Sequence, residues 1–180
     1  KENNLKYFIN IGSADGYHTL GLLKNGIFEQ AICYEIDSKA KDILRLNLKE
    51  NKIEDKVLIH GEANIKQIKE DLEKIEIDKT LFLIDIEGDE FKIFSNENLN
   101  FLSKAFLIIE EHNFKVKDDQ LIESFYSLMK KNFIFKIVPN GARNPSDIDN
   151  NFFSSLGDDS KFLLLSEGRK KNMTWIFLSP

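Results

Sequence analysis

The sequence predicts an α/β fold built on a parallel, doubly wound sheet, and three observations carry that prediction. Seven short apolar runs recur along the chain. Amphipathic stretches with helical spacing separate the first six of them. The runs are apolar at nearly every position instead of every second one, as in strands covered on both faces. Strands that alternate with helices imply right-handed crossovers, and these in turn imply strands lying parallel.

The strands are expected at 7–11 (YFINI), 31–35 (AICYE), 57–60 (VLIH), 81–85 (LFLID), 105–111 (AFLIIEE), 133–138 (FIFKIV) and 174–178 (TWIFL). Helices are expected at 17–25, 38–51, 64–75, 89–102 and 118–132. The second follows Asp37-Ser38, a plausible cap, and carries Ile43, Leu44, Leu46 and Leu48. The fifth repeats Leu121, Ile122, Phe125, Leu128 and Met129 at helical spacing. The stretch 139–160 holds two of the three prolines and reads as irregular; with the turn-rich EGRKKN it makes 139–173 a substrate or lid region. The last strand follows that turn and can run antiparallel at the edge. No repeat or linker divides residues 1–180, so a single domain is expected, large enough to bury one substantial core.

Composition narrows the function classes. Hydrophobic residues make up 42% and charged residues 31%, as in ordinary globular chains, and no apolar run approaches the roughly 20 residues that cross a bilayer. No membrane association is expected. A formal net charge of −5 argues against a nucleic-acid partner, which calls for a basic stripe. The single cysteine, Cys33, excludes an internal disulfide framework and a cysteine-rich zinc site, and fits a reducing cytoplasm.

The first strand runs into Gly12-Ser13-Ala14-Asp15-Gly16 before a helix opens near Tyr17. In open parallel sheets ligands sit at the carboxyl ends of strands, and glycines let backbone come close to them. The spacing is not GxGxxG, and Asp15 places negative charge where a diphosphate would lie. No Gly-Lys-Ser/Thr follows either. The expected ligand is nucleoside-like without phosphates. Glu35, about 20 residues beyond the turn, is placed to accept from a ribose diol. Glu62 and Ala63 follow the third strand and can flank an adenine. Asp85 closes the fourth strand, and Glu87, Asp89 and Glu90 follow at once. Asp89 and Glu90 read as ordinary acids of a first helical turn, whereas Asp85 and Glu87 do not. Glu110, Glu111 and His112 end the fifth strand. Each feature has an ordinary structural explanation, but together they draw one site along a single sheet edge.

The blocks INIGSADGYHTL, YEIDSKAKDILRLNL, VLIHGEAN, LFLIDIEGDEFKIF and LIIEEH resemble the class I S-adenosylmethionine-dependent methyltransferases, and among them the FkbM family. The resemblance covers roughly residues 7–112. It rests on Gly16-Tyr17-His18-Thr19, Glu35-Ile36-Asp37 and, most specifically, Asp85-Ile86-Glu87-Gly88-Asp89-Glu90. Asn10 stands where that family usually has aspartate, and Ile36 where it has proline. The resemblance implies a Rossmann-like, seven-stranded sheet in the order 3-2-1-4-5-7-6, with the last strand antiparallel and helices on both faces. It implies S-adenosyl-L-methionine as cofactor, with Asn10 and the Gly12–Gly16 turn, including Ser13 and Ala14 and running on to Tyr17, around the methionine end. Glu35 and Ile36 would lie at the ribose, Glu62 and Ala63 at the adenine, and Asp85 near the methyl group.

The reaction so implied is O-methylation of a hydroxyl on a sugar or small metabolite. Positioning of the two reactants contributes up to roughly 7–11 kcal/mol and a base about 3–5 kcal/mol. Asp85 is the leading base, with Glu111 and His112 next. A divalent metal held by Asp85, Glu111 and His112 would be an alternative way to lower the acceptor's pKa. Arg143 and Arg169 could meet an anionic substrate, or lie simply at the surface. Phe152-Phe153 could edge a lid or a dimer contact. Two other functions are weighed against this one. A catalytically degenerate binding domain would be consistent with Asn10, and a nucleotide-cofactor oxidoreductase would need the missing GxGxxG turn.

Overall fold

The computed structural model describes residues 4–94, 99–139, 143–166 and 174–180. Seven strands form one sheet: β1 (Tyr7–Ile11), β2 (Gln30–Tyr34), β3 (Val57–His60), β4 (Thr80–Ile84), β5 (Phe106–Glu111), β6 (Ile134–Pro139) and β7 (Thr174–Ser179). Their order is β3-β2-β1-β4-β5-β7-β6, as the resemblance implied. All neighbours from β3 to β5 pair parallel, and β7 runs antiparallel to both β5 and β6. Every strand falls within one residue of its predicted start and end.

The helices are α1 (Tyr17–Lys24), α2 (Ser38–Glu50), α3 (Ile65–Leu72), α4 (Glu90–Ile93), α5 (Asp119–Asn132), α6 (Asn151–Ser154) and α7 (Asp158–Leu165). Asp37 caps α2 by accepting from Ala40 N at 2.9 Å, and Asn64 and Asp118 cap α3 and α5 in the same way. Two expectations change. The helix predicted over 89–102 is cut short at Ile93, with a 3-10 turn at Leu99–Phe101. The stretch read as irregular contains α6 and α7. The turn carrying Arg169 lies outside the described residues.

Two cores flank the sheet. Leu23 of α1 and Leu44 and Leu48 of α2 pack with Phe8, Cys33 and Leu83 on one face. Ile68 and Leu72 of α3, Phe91 of α4, and Phe125 and Met129 of α5 pack with Ile9, Tyr34, Phe82 and Ile109 on the other. Helices therefore cover both faces, which is why β1, β4 and β5 are buried almost throughout. Each fully buried large side chain contributes about 1.5–3 kcal/mol. No helix among the described residues is long and apolar enough to cross a membrane.

Strand order reverses between β1 and β4. Gly12 sits at this seam with φ of 83°, and a Cβ there would lie 1.9 Å from the Asp85 carbonyl oxygen. Only glycine lets the two strand ends meet so closely.

Candidate functional site

The carboxyl ends of β1 to β4 open into a cleft of about 670 Å³, in the size range of small-molecule sites. Gly12 and Ala14 form its wall after β1, Glu35 and Ile36 after β2, Glu62 and Ala63 after β3, and Asp85 and Glu87 after β4. The turn after β1 is tied down from below: the N–H groups of Gly12 and Ser13 both donate to the Tyr34 carbonyl, at 2.9 and 3.1 Å. Ala14 is held at φ of 46° and Glu87 at 61°, a left-handed backbone that side chains disfavour and that clusters at functional sites.

Glu35 turns back into this corner. Its Oε2 accepts from Ala14 N and its Oε1 from Asp37 N, both at 2.8 Å. Each oxygen keeps a further lone pair, so the carboxylate is fixed in place and can still accept from a diol. Asp15 turns its carboxylate to the start of α1, where Oδ1 accepts from Tyr17 N at 3.3 Å. That arrangement disfavours an anion at this helix end.

Four of the residues expected around the cofactor do not line the cleft. Asn10 is buried, and its amide donates to Thr19 Oγ1 at 3.1 Å beside the Cys33 thiol. Ser13 is buried beneath the turn. The missing Cβ of Gly16 would point at Leu44 and Leu20 of the α1–α2 packing, at 2.3 and 2.6 Å. Tyr17 is 80% exposed and stacks edge-on with His18.

At the β4–β5 end, acids gather around one imidazole. His112 is 3% exposed, and its Nε2 lies 3.5 Å from Glu87 Oε2 and 3.8 Å from both Asp85 Oδ1 and Glu110 Oε2. Glu90, predicted as an ordinary helix-start acid, is fully buried. It accepts from Gly88 N and from His112 N, each at 2.8 Å, and stands 3.3 Å from His112 Nδ1. Burial alone would push the imidazole pKa down, but Glu90, Asp85 and Glu110 outweigh it and hold His112 above the usual value. Glu111 does not join this cluster. It accepts from the Asn113 amide at 2.7 Å and from the Tyr126 hydroxyl on α5. Glu110 and Glu111 are neighbours on β5, so their side chains leave opposite faces of the sheet.

A second buried acid underlies the cleft. Asp71 of α3 has no exposed surface, accepts from the Tyr34 hydroxyl and lies 2.9 Å from His60 Nε2. Tyr34, which borders the cleft, is thereby braced from behind. Sequence reading missed Asp71 because its only local signal is an acid on the apolar face of a helix.

No protein-family model matches the chain, and no curated protein is similar to it. Solved structures do share the fold. An O-methyltransferase from Bacillus cereus, in complex with SAH, is 14% identical over 99% of this chain and 76% of its own, with a TM-score of 0.61. The cofactor-bound Rv0187 from MTB is 13% identical over 97% of this chain and 73% of its own, at 0.58. The M1A22 tRNA methyltransferase TrmK of B. subtilis is 13% identical, at 0.57; this chain covers 61% of its length and is itself covered to 98%. At such identities the likeness establishes the fold.

Proposed function

We propose that the chain is an S-adenosylmethionine-dependent methyltransferase of the FkbM kind that methylates a hydroxyl on a sugar or small metabolite. The observation that carries this reading is the Glu35 carboxylate, locked by Ala14 N and Asp37 N at the open corner after β1. A carboxylate in that place, with open cleft above it and no phosphate-binding turn beside it, suits an adenosyl group without phosphates. In this reading the ribose diol donates to Glu35 with Ile36 beside it, Ala63 packs on the adenine, Glu62 accepts from its exocyclic amine, and the turn Gly12–Ala14 borders the methionine end. Proteins of the same fold crystallised with SAH or with cofactor support the choice of donor.

The transfer is an in-line displacement: the carbon–sulfur bond of the sulfonium breaks as a bond forms from the acceptor oxygen, whose proton leaves to a base. Asp85 lines the cleft and faces His112, so the pair can take that proton. Most of the acceleration is assigned to holding donor and acceptor in line, worth roughly 7–11 kcal/mol. A nucleic-acid acceptor fits poorly, because Glu62, Asp85, Glu87 and Asp89 would repel a polyanion. Asn10 gives no support to a degenerate domain, since its side chain is spent on Thr19 below the turn. A cytoplasmic setting is consistent with the buried, unpaired Cys33.

Calorimetric titration of the chain with S-adenosylmethionine and S-adenosylhomocysteine tests the reading. One-to-one binding of both is expected, with NAD ignored; a chain that binds neither adenosyl compound would overturn it.

A further inference from the structure

We propose that Asp71 is a positioning residue for the adenosyl half of the cleft, clamping the end of edge strand β3 to β2. The role rests on the methyl-transfer reading, and Asp71 performs it without lining the cleft itself. β3 needs such a clamp. It is the outermost strand of the sheet, four residues long, and none of its residues is fully buried. Strand ends with few buried contacts are the first to open. The pair nearest the cleft is Tyr34 of β2 opposite His60 of β3. Beyond it the two chains part: Glu35 and Ile36 wall one side, and Gly61, Glu62 and Ala63 the other. One backbone bond reaches past the pair, from Glu35 N–H to the His60 carbonyl, and at 3.4 Å it is weak. The spacing between the ribose and adenine walls therefore depends on how firmly Tyr34 and His60 are held.

Asp71 holds both of them. Its Oδ2 accepts from the Tyr34 hydroxyl and lies 2.9 Å from His60 Nε2. The angle at Nε2 falls short of a complete hydrogen bond, so stacking carries much of that grip: the His60 ring lies on the Tyr34 ring with centroids 5.1 Å apart. The second oxygen, Oδ1, takes the Lys74 ammonium at 3.3 Å and the Gln67 amide at 3.4 Å, which fixes the rotation of the carboxylate. Tyr34 extends the clamp to the whole corner. Its carbonyl takes the N–H groups of Gly12 and Ser13, its hydroxyl meets Asp71, and its chain runs directly into Glu35.

A charged acid is a costly choice for this position. Asp71 has no exposed surface and shares the buried stripe of α3 with Ile68 and Leu72. A leucine would fill that stripe without any desolvation cost, and apolar replacements of buried ionic groups are often neutral or stabilising. Stability alone does not account for the acid, whereas holding Tyr34 and His60 in fixed places does.

Amide hydrogen exchange of the full chain, together with calorimetry using S-adenosylhomocysteine, tests the role. In Asp71→Leu without ligand, the amides of residues 58–63 should exchange about tenfold or more faster, with those of β1 and β4 unchanged. The same variant should bind S-adenosylhomocysteine about tenfold or more weakly. Tyr34→Phe drops the hydroxyl but keeps the carbonyl that holds the glycine turn, so it should fold as the parent does and show both changes to a smaller degree. The double variant Tyr34→Phe/Asp71→Leu removes the stranded hydroxyl as well, so its urea midpoint should recover toward the parent's while its affinity stays low. Affinity that recovers with the midpoint would make Asp71 a merely structural residue and overturn the role. So would exchange at 58–63, or affinity, that is unchanged in both single variants. A parent chain that binds no S-adenosylhomocysteine removes the methyl-transfer reading and the ligand side of the role with it, while the exchange result still decides the clamp.

Discussion

Replacing Glu90 with alanine should cost the fold about 3–5 kcal/mol. The carboxylate has no exposed surface and takes one buried backbone N–H on each side, from Gly88 in the β4 turn and from His112 at the end of β5, each at 2.8 Å. Hydrogen bonds to an ionised group contribute about 1.5–3 kcal/mol each, so the pair is worth roughly 3–6 kcal/mol. Removing the acid also recovers part of its desolvation cost, which trims the loss. What is left behind is two unsatisfied buried N–H groups, each costing about 1–3 kcal/mol. Glu90→Gln keeps the shape and one acceptor but turns an amide N–H toward the other donor, so it should lose about 1–3 kcal/mol. Urea unfolding followed by far-ultraviolet circular dichroism, with an unchanged m value, measures both. The total stability of such a domain is about 5–15 kcal/mol, so these losses are large. A Glu90→Ala variant within about 1 kcal/mol of the parent would show that the buried acid does not tie β4 to β5.

Other expectations follow from the same contacts. Glu35→Gln should fold normally, because Glu35 is partly exposed, but bind S-adenosylhomocysteine about ten- to a hundredfold more weakly by calorimetry, the worth of a charge-assisted bond to the ribose; unchanged affinity would detach Glu35 from the ligand. Gly12→Ala should destabilise by more than about 2 kcal/mol in the same urea assay, since positive φ costs roughly 1–2 kcal/mol and the clash with the Asp85 carbonyl adds to it. Burial pushes the Cys33 thiol up to about 11 from 9.0, against the hydroxyls of Thr19 and Ser13. A raised folded-state value gives stability that is complete below pH 9 and is lost as pH climbs through 11, by about 2–3 kcal/mol. Urea midpoints across that window should fall less in Cys33→Ala than in the parent, and an identical fall would refute the assignment.

Short-range chemistry made most of the architecture legible in the sequence. Each strand is a run of apolar residues bounded by turn formers, and α2 and α5 announce themselves by a cap or by helical spacing, so their ends were readable to within a few residues. Chain order also puts the acids of the site at strand ends, since Glu35, Asp85 and Glu110 each directly follow an apolar run. The sequence could not say where those side chains point. Glu110 and Glu111 differ by one position, and only the register of β5 against β4 and β7 sends the first toward His112 and the second toward Tyr126. Nor could it separate Glu90, which is sealed in and bonded across 22 positions of chain, from Asp89 beside it, which pairs with Lys92 near the surface.

The glycines of the first turn illustrate the same division. A sequence shows that backbone at Gly12 and Gly16 must be approached closely, but the approaching atoms belong to Asp85 and to Leu44, more than twenty residues away in the chain. Periodicity and propensity act over a turn or a strand, so they determined by themselves the elements and their alternation. Burial, side-chain direction and the gathering of Asp85, Glu87, Glu90 and Glu110 around one imidazole depend on which distant segments the sheet brings together. Those features were decided only by tertiary packing, because a contact energy exists only once both partners are in place.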